Sequence, residues 1–189
     1  MINHIDVSSV LKTSVSEFYT NLVTRPTGVA VRSHIEHQLD QLGERALTVL
    51  DFSHVGLMDL SCADEIVAKL LLHYVDAEQN NREVYFVFRG INESHRYAIE
   101  TVLERHGLAL VSQLSDSEAV LVGTIDGSER QIWDAICKLG AAQPDDLASE
   151  TGMGREDAEK TLYALWKRRL LMRADRAYLP TFLLPLHET

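Results

Sequence analysis

The chain is short of the residues that mark several classes of protein. It has two cysteines, Cys62 and Cys137, and no apolar run approaches the roughly 20 residues that span a bilayer. The first residues, MINHID, lack a basic stretch followed by an apolar core, so no secretory signal is expected. We therefore expect a cytoplasmic protein without a disulfide and without a membrane partner.

Basic residues are also scarce, and the formal net charge is −10. The deficit lies in residues 1–127, which hold 9 Lys or Arg and 18 Asp or Glu, whereas residues 128–189 hold 9 and 10. An acidic first part repels the phosphates of nucleic acid rather than attracting them. With 46% hydrophobic residues and only four prolines, the chain is expected to fold around a substantial core.

Helix and strand periods alternate through the first part of the chain. Strands are predicted at Ile5–Leu11, Phe18–Val23, Ala46–Phe52, Glu83–Phe88, Leu108–Val111 and Ala119–Val122. Helices are predicted at Val29–Leu42 with Gly43 as its C-cap, from Cys62 to about Ala77, and at Glu93–His106. Alternating elements with short loops predict right-handed crossovers and a mixed, partly parallel sheet of the α/β (α+β) class.

A polar stretch bracketed by Gly123 and Gly127 is the best boundary candidate, and the pattern after it is helical. Helices are predicted at Ser128–Leu139 with a Ser128–Gln131 capping box, at Pro144–Thr151 and from Arg155 to about Leu170, followed by strands at Leu171–Arg173 and Ala177–Leu179. Three helices, a glycine turn and a hairpin resemble the winged helix-turn-helix domains of bacterial regulators. We therefore predict one domain at 1–123, a linker at 124–127 and a winged helix at 128–189.

The third of these helices would enter the DNA major groove by its N-terminal half. Three carboxylates in that half, Glu156, Asp157 and Glu159, oppose contact with phosphate. The candidate DNA-binding residues are Arg155, Lys160, Lys167, Arg168, Arg169, Arg173 and Arg176. Several of these cations lie at the helix C-terminus, where the helix dipole favours them in any case. DNA binding and a protein-contact or spacer role therefore both stay open.

Polar residues gather where a strand gives way to a helix in VLDFSHVGLMDLSCADEIVAKLL. Ser61 is predicted to be the N-cap, with Asp64 as its capping-box partner. A catalytic role for Ser61 or Cys62 would need a base, for which His54 is the candidate, together with an orienting group and an oxyanion site. The possible oxygen and nitrogen ligands for a metal ion are Asp51, His54, Asp59 and Asp64. Their spacing matches no established metal site, so we expect no metal and no cofactor.

The same stretch resembles the strand–loop–helix core of the STAS fold, found in sulphate transporters and anti-sigma factor antagonists. It is similar to a STAS-like subgroup of unknown function, on the residues Asp51, Phe52, Ser61, Ala63, Asp64 and Glu65. The earlier segment TRPTGVAVRSHIEHQL resembles the first helix region of that subgroup. The resemblance covers roughly residues 1–123 and implies a signalling or scaffolding module rather than an enzyme.

In the anti-sigma factor antagonists, a partner kinase phosphorylates a serine at the start of this helix, within an Asp-Ser-Ser-Gly motif. This chain has Asp-Leu-Ser-Cys at residues 59–62, so Leu60 occupies the position of the phosphorylated serine. The resemblance implies a protein partner, either a kinase, an anti-sigma-like protein or another regulator. The implied partner and switch surface comprises Asp59, Leu60, Ser61, Cys62, Asp64, Glu65 and Lys69.

A second candidate for ligand contact surrounds the start of the first predicted helix. A phosphate or a partner's carboxylate would find hydroxyls, cations and free backbone N–H groups there, although a plain turn with a solvated arginine explains the same pattern. The candidate anion-binding residues are Thr24, Arg25, Thr27, Gly28 and Arg32.

The sequence favours a non-enzymatic signalling adaptor that binds a protein partner through the loop and helix from Asp59 to Lys69. Its winged helix would contact DNA or a second protein. One alternative is a sequence-specific transcription regulator whose STAS-like domain dimerises or senses a ligand. Another is an enzyme that uses the cluster from Asp59 to Glu65. The oligomeric state stays open at this point.

Overall fold

A computed structural model describes residues 2–75 and 82–182. Its centre is a five-stranded sheet built from Ile2–Asp6 (β1), Arg45–Asp51 (β2), Glu83–Arg89 (β3), Ala109–Ser115 (β4) and Glu118–Gly123 (β5). The strands lie in the order β1-β2-β3-β4-β5, with the first four parallel and β5 antiparallel to β4. The expected mixed α/β sheet is confirmed.

The helices of the described residues are Val7–Ser14 (α1), Arg25–Asp40 (α2), a helix from Leu60 to Val75 (α3), Glu93–His106 (α4), Gly127–Leu139 (α5), Pro144–Thr151 (α6) and Arg155–Lys167 (α7). Helix α3 is interrupted by a wider π-helical turn at Asp64–Lys69. Its predicted continuation to about Ala77 lies outside the described residues. A hairpin of Leu171–Ala174 (β6) and Ala177–Pro180 (β7) follows α7. Of the helices described, none has the length and apolar character needed to span a membrane.

The predicted strands at Ile5–Leu11 and Phe18–Val23 are both wrong. The strand ends at Asp6, whose carboxylate accepts hydrogen bonds from the Ser8 backbone N–H and the Ser9 hydroxyl and so begins α1. Residues 18–23 are irregular, with one bridge between Leu22 and Met58. A carboxylate cap therefore overrides the apolar alternation of the first segment.

Three predicted helix ends also need correction. The end of α2 is Asp40 with Gln41 as its C-cap, so Gly43 lies beyond it. The capping box of α5 joins Asp126 and Glu129 rather than Ser128 and Gln131, because the Asp126 carboxylate accepts from the Glu129 N–H while Glu129 accepts from the Asp126 N–H. Helix α7 ends at Lys167, before the predicted end near Leu170.

One face of the sheet is covered by α1 to α4. Leu50 on β2 and Phe88 on β3 point to this face and pack in one apolar cluster with Ile66 of α3 and Ile99 of α4. All the predicted core residues of α3 are buried: Ala63, Ile66, Val67, Leu70, Leu71 and Tyr74. This layer comes from the crossover connections between neighbouring parallel strands.

The other face of the sheet is covered by the C-terminal helices and hairpin. Tyr85 and Val87 of β3 belong to an apolar cluster that also contains Trp133 of α5 and Leu165 of α7. The predicted linker at residues 124–127 is therefore followed by a segment that folds back onto the sheet. The two parts of the chain share the apolar cluster of this second face.

Candidate functional site

Two loops at the carboxyl end of β2 lie side by side. The Leu22 N–H donates to the Leu57 carbonyl over 2.8 Å, and the Asp59 N–H donates to the Leu22 carbonyl over 2.9 Å. The Asn21 side-chain oxygen accepts from the Leu57 N–H at 2.8 Å. We call residues 18–24 and 52–59 the paired loops, because these bonds hold them as one unit next to the start of α3.

Asp59, and not Ser61, is the N-cap of α3. Its Oδ1 accepts from the Cys62 N–H and from the Ser61 hydroxyl, both at 2.8 Å, and its Oδ2 accepts from the Thr24 N–H at 2.9 Å. The prediction of Ser61 as the cap is wrong because Asp59 begins the helix two residues earlier, which places Ser61 inside the first turn. Asp59 therefore fastens both paired loops to the helix.

The predicted anion site and the predicted switch helix meet in one cluster of charges. Glu65, whose side chain is 1% exposed, accepts from Arg25 Nη1 at 2.5 Å and from Arg32 Nε at 3.2 Å, and it also pairs with Lys69. Asp64 accepts from Arg25 Nη1 at 2.9 Å. We call these five residues, with His106, the Glu65 cluster.

His106 completes the Glu65 cluster from α4, with its Nε2 lying 3.0 Å from Asp64 Oδ1. Asp64 is thus an ion-pair partner rather than the predicted capping-box residue of α3. The two arginines proposed to hold an external anion are already paired with carboxylates of the same chain. The cluster ties α2, α3 and α4 together.

Burial and pairing act in opposite directions on the carboxylates of this region. Burial favours the neutral acid, but hydrogen bonds from Lys69 and Arg25 outweigh it and hold the pKa of Glu65 below its usual range. The pKa of Asp64 is lowered in the same way, against burial, by hydrogen bonds from Arg25 and His106. For Asp59, burial is outweighed by the N–H groups of Cys62 and Thr24, and its pKa is also lowered. All three side chains are charged at neutral pH.

A close approach of α2 to α3 makes the Glu65 cluster possible. A Cβ on Gly28 would lie 3.0 Å from Glu65 Cβ and 3.1 Å from Cys62 Cα, so only glycine fits without displacement. The preceding Thr24 has a φ of 72°, an unfavourable value for a β-branched residue. This turn directs the start of α2 towards the two carboxylates.

The groups proposed for catalysis do not converge. Burial, followed by the charge of Asp59, raises the pKa of the Cys62 thiol to about 12, and its Sγ donates to the Thr24 carbonyl at 3.1 Å. His54 is largely exposed, and its Nδ1 lies 4.0 Å from Asp6 Oδ2, whereas the Ser61 hydroxyl donates to Asp59. Within residues 2–75 and 82–182, no group of three or more potential ligands is placed to hold a metal ion.

Several exposed side chains of this region are apolar. Of the predicted switch surface, Cys62, Asp64 and Glu65 are buried, whereas Leu60 is exposed. The paired loops add four exposed apolar side chains beside it. We call this set the paired-loop surface: Phe18, Tyr19, Val23, Leu57 and Leu60.

Sequence reasoning missed two residues that fix the paired loops. His95 of α4 is fully buried, and its Nε2 lies 2.7 Å from the Gly56 carbonyl. Asn21 accepts from Leu57 as described above. Asn92 at the start of α4 indicates a helix cap, but nothing in the sequence near His95 indicates a contact with Gly56, in a loop 39 residues earlier.

The basic residues predicted to contact DNA are divided between the surface and the interior. Arg168 Nη1 pairs with Glu129 at 2.7 Å, and Arg169 is buried with its guanidinium 5.5 Å from the Tyr85 ring centroid. Arg173 is exposed but stacks over Trp166 and Tyr178. Four exposed cations remain, of which the first two are paired with nearby carboxylates: Arg155, Lys160, Lys167 and Arg176.

Comparison with known proteins gives limited similarity. The UvrABC system protein C of Beutenbergia cavernae is 28% identical over 123 residues, which is 65% of this chain but 18% of that protein. The chain thus spans less than a fifth of the length of this curated relative. No family model matches the chain, and no solved structure matches it.

Proposed function

We propose that this protein is a non-enzymatic regulatory adaptor with a STAS-like N-terminal domain, and that the paired-loop surface binds a protein partner. The observation that carries this proposal is the contrast within one region. The charged side chains are paired within the chain, while Leu57 and Leu60 are 58% and 37% exposed on loops fixed by hydrogen bonds. Exposed apolar side chains on a rigid scaffold suit contact with a protein.

The same geometry supports Ser61 as a switch for this contact. Its hydroxyl donates to Asp59, the residue that fastens both loops to α3. A phosphate on Ser61 would remove that donor and place roughly two negative charges beside the Asp59 carboxylate. Repulsion would weaken the cap and displace the neighbouring Leu60, and so reduce affinity for the partner.

The enzyme alternative has less support. A thiol with a pKa near 12 is protonated at neutral pH, and Ser61 donates to the Asp59 carboxylate, whose lowered pKa makes it a weak base. The acidic residues of this segment are paired with cations of α2 and α3. Their observed contacts are those of a structural cluster.

The proposal is tested by recovery of partners from a native extract. Wild-type protein and the Leu72→Asp control, which changes an exposed leucine of α3, should recover the same protein. The Leu57→Asp/Leu60→Asp variant should lose it, and Ser61→Asp should weaken it. An unchanged set of recovered proteins for the double variant contradicts the proposed surface.

The C-terminal part is proposed to be a winged helix that contacts DNA or a second protein. The exposed cations Lys167 and Arg176 favour DNA, whereas the inward-facing Arg168 and Arg169 and the carboxylates of α7 favour protein contact. A mobility shift on genomic DNA separates the two. Binding that falls with salt and with Lys167→Ala/Arg176→Ala supports the regulator, and no binding at low salt removes it.

A further inference from the structure

Strand β5 is an edge of the sheet with few of the features that protect sheet edges. Among the described residues, β5 is the last strand in the order of the five-stranded sheet. Its sequence is EAVLVG and contains neither lysine nor proline. Val120 is 37% exposed at its middle. Natural edge strands usually carry charges, prolines or bulges that prevent pairing with another strand. The opposite edge, β1, has the polar sequence INHID.

A groove of about 600 Å³ runs along β5 on the side of α4. Val120 and Val122 line its floor, and Arg96 and Glu100 of α4 line its wall. Arg96 pairs with Glu93 at 3.5 Å, but both side chains are exposed, so this contact contributes little. The groove therefore offers an apolar floor, a strand without a partner on its outer side among the described strands, and four charged side chains. Arg96 and Glu100 lie one helical turn apart on α4, and Glu104 and Arg130 also line the groove.

The direction of α4 relative to β5 determines what fits this groove. Helix α4 returns from the end of β3 to the start of β4, and β5 is antiparallel to β4, so α4 and β5 run in the same direction. Gly123 lies beside Leu103, since a Cβ there would be 3.1 Å from Leu103 Cδ1. Rises of about 1.5 Å per helical residue and about 3.3 Å per strand residue then place the turn from Arg96 to Glu100 beside the middle of β5.

We propose that a second copy of this chain pairs its β5 with this β5, antiparallel, around a two-fold axis that passes between the two strands at their middle. This axis is perpendicular to the sheet, so both copies of α4 lie on the same face and run antiparallel. Arg96 of each copy then faces Glu100 of the other, and Val120 is covered. The pair of Arg96 with Glu100 of the other copy therefore forms twice across the axis. The surface is self-complementary, as an isologous dimer requires.

The dimer uses other residues than the proposed partner contact, because Val120, Arg96 and Glu100 are not part of the paired-loop surface. Sedimentation of the full chain over a range of concentrations tests it, and a dimer is expected. Val120→Lys should weaken association by about tenfold or more, because it introduces a charge at the middle of the paired strands. The matched control is Leu72→Lys, which alters an exposed apolar residue far from β5 and should leave association unchanged.

Charge reversal tests the register of the pairing without touching the core. Arg96→Glu alone should weaken the dimer, and Arg96→Glu/Glu100→Arg should restore it, because the reversed charges face each other again. Circular dichroism confirms that each variant is folded. A monomer at all concentrations overturns the proposal. So does a dimer that withstands Val120→Lys, or a double variant that is no better than Arg96→Glu.

Discussion

The two faces of the sheet show different relations between sequence and structure. Residues such as Leu50 and Phe88 on one face pack against helices that directly connect their own strands. Tyr85 and Val87 on the other face pack against helices that begin much later in the chain, α5 at Gly127 and α7 at Arg155. The first layer follows from local crossovers, whereas the second depends on the C-terminal part folding back.

The two faces also treat buried charge differently. On the face covered by α1 to α4, which we call the helical face, Glu65 has three cationic partners from α2 and α3. On the other face, Arg169 lies against the Tyr85 ring, and its Nε is buried without a hydrogen-bond partner in the described part of the chain. Buried groups usually have such partners. Both layers thus contain a buried carboxylate in an ion pair, Glu65 on one and Glu129 with Arg168 on the other, but among the described residues only the second contains a buried cation held by a ring contact.

The largest effect is expected from removing the layer on the second face. A chain ending at Gly123 would expose the side chains that contact the C-terminal part: Leu47, Val49, Tyr85, Val87, Val111 and Leu121. Each large apolar side chain returned to water costs roughly 1.5–3 kcal/mol. We expect aggregation or loss of a cooperative thermal transition, measured by calorimetry and dye binding. A soluble fragment with a sharp transition would show that the layers are independent.

The next effect concerns the Glu65 cluster. Glu65→Gln leaves Arg25, Arg32 and Lys69 without their shared carboxylate, and we expect a loss of about 3 kcal/mol in the free energy of unfolding. Urea titration measures it. Glu93→Gln, at an exposed position on α4, is the matched control and should change stability by less than about 0.5 kcal/mol. Equal effects would mean that the cluster does not stabilise the helical face.

A smaller effect is expected at Arg169 on the second face. Its φ of 59° favours glycine, so Arg169→Gly removes backbone strain as well as the contact with Tyr85. Arg169→Ala removes only the contact. We expect Arg169→Ala to be less stable than Arg169→Gly by about 1 kcal/mol in urea titration. Because both variants lose the contact with Tyr85, the reverse order of stability would show that the backbone at position 169 is not strained.

The smallest effect is a dependence on acidity. The pKa values of Asp64 and Glu65 are lowered in the folded protein, so their ion pairs contribute stability at pH values above the ordinary range of about 4. That contribution is lost as the pH falls through the lowered values. Glu65→Gln should therefore lose less stability than wild type between neutral and acidic pH. Parallel losses, measured by urea titration at each pH, would remove Glu65 as a cause.

Local signals predicted much of the fold. Strands β2 and β3 were found within one residue and α4 at its observed ends, because long periodic or apolar segments dominate there. The strand predicted at Ile5–Leu11 is wrong because Asp6 caps a helix, although Ile5 and Val7 alternate with polar residues as in a strand. The continuous apolar residues of β3 also indicate burial on both faces, and therefore a second layer on the sheet.

The site was harder to predict than the fold. Both halves of the Glu65 cluster were identified as candidates, but as separate sites for external ligands. Their pairing joins residues 40 positions apart, as in Arg25 with Glu65, and no local pattern encodes that distance. The exposed apolar residues of the paired loops were missed for a related reason. Phe18 was assigned to a strand, yet its side chain is 82% exposed.

The most direct test of the proposed adaptor function uses a photo-crosslinking amino acid at one of two positions. Placed at Leu60 on the paired-loop surface, it should give a discrete adduct with one protein in a native extract, and Ser61→Asp should reduce that adduct. Placed at Leu72, which is similarly exposed on the same helix α3, it should give no such adduct. The same products from both positions, or none from Leu60, would contradict the account.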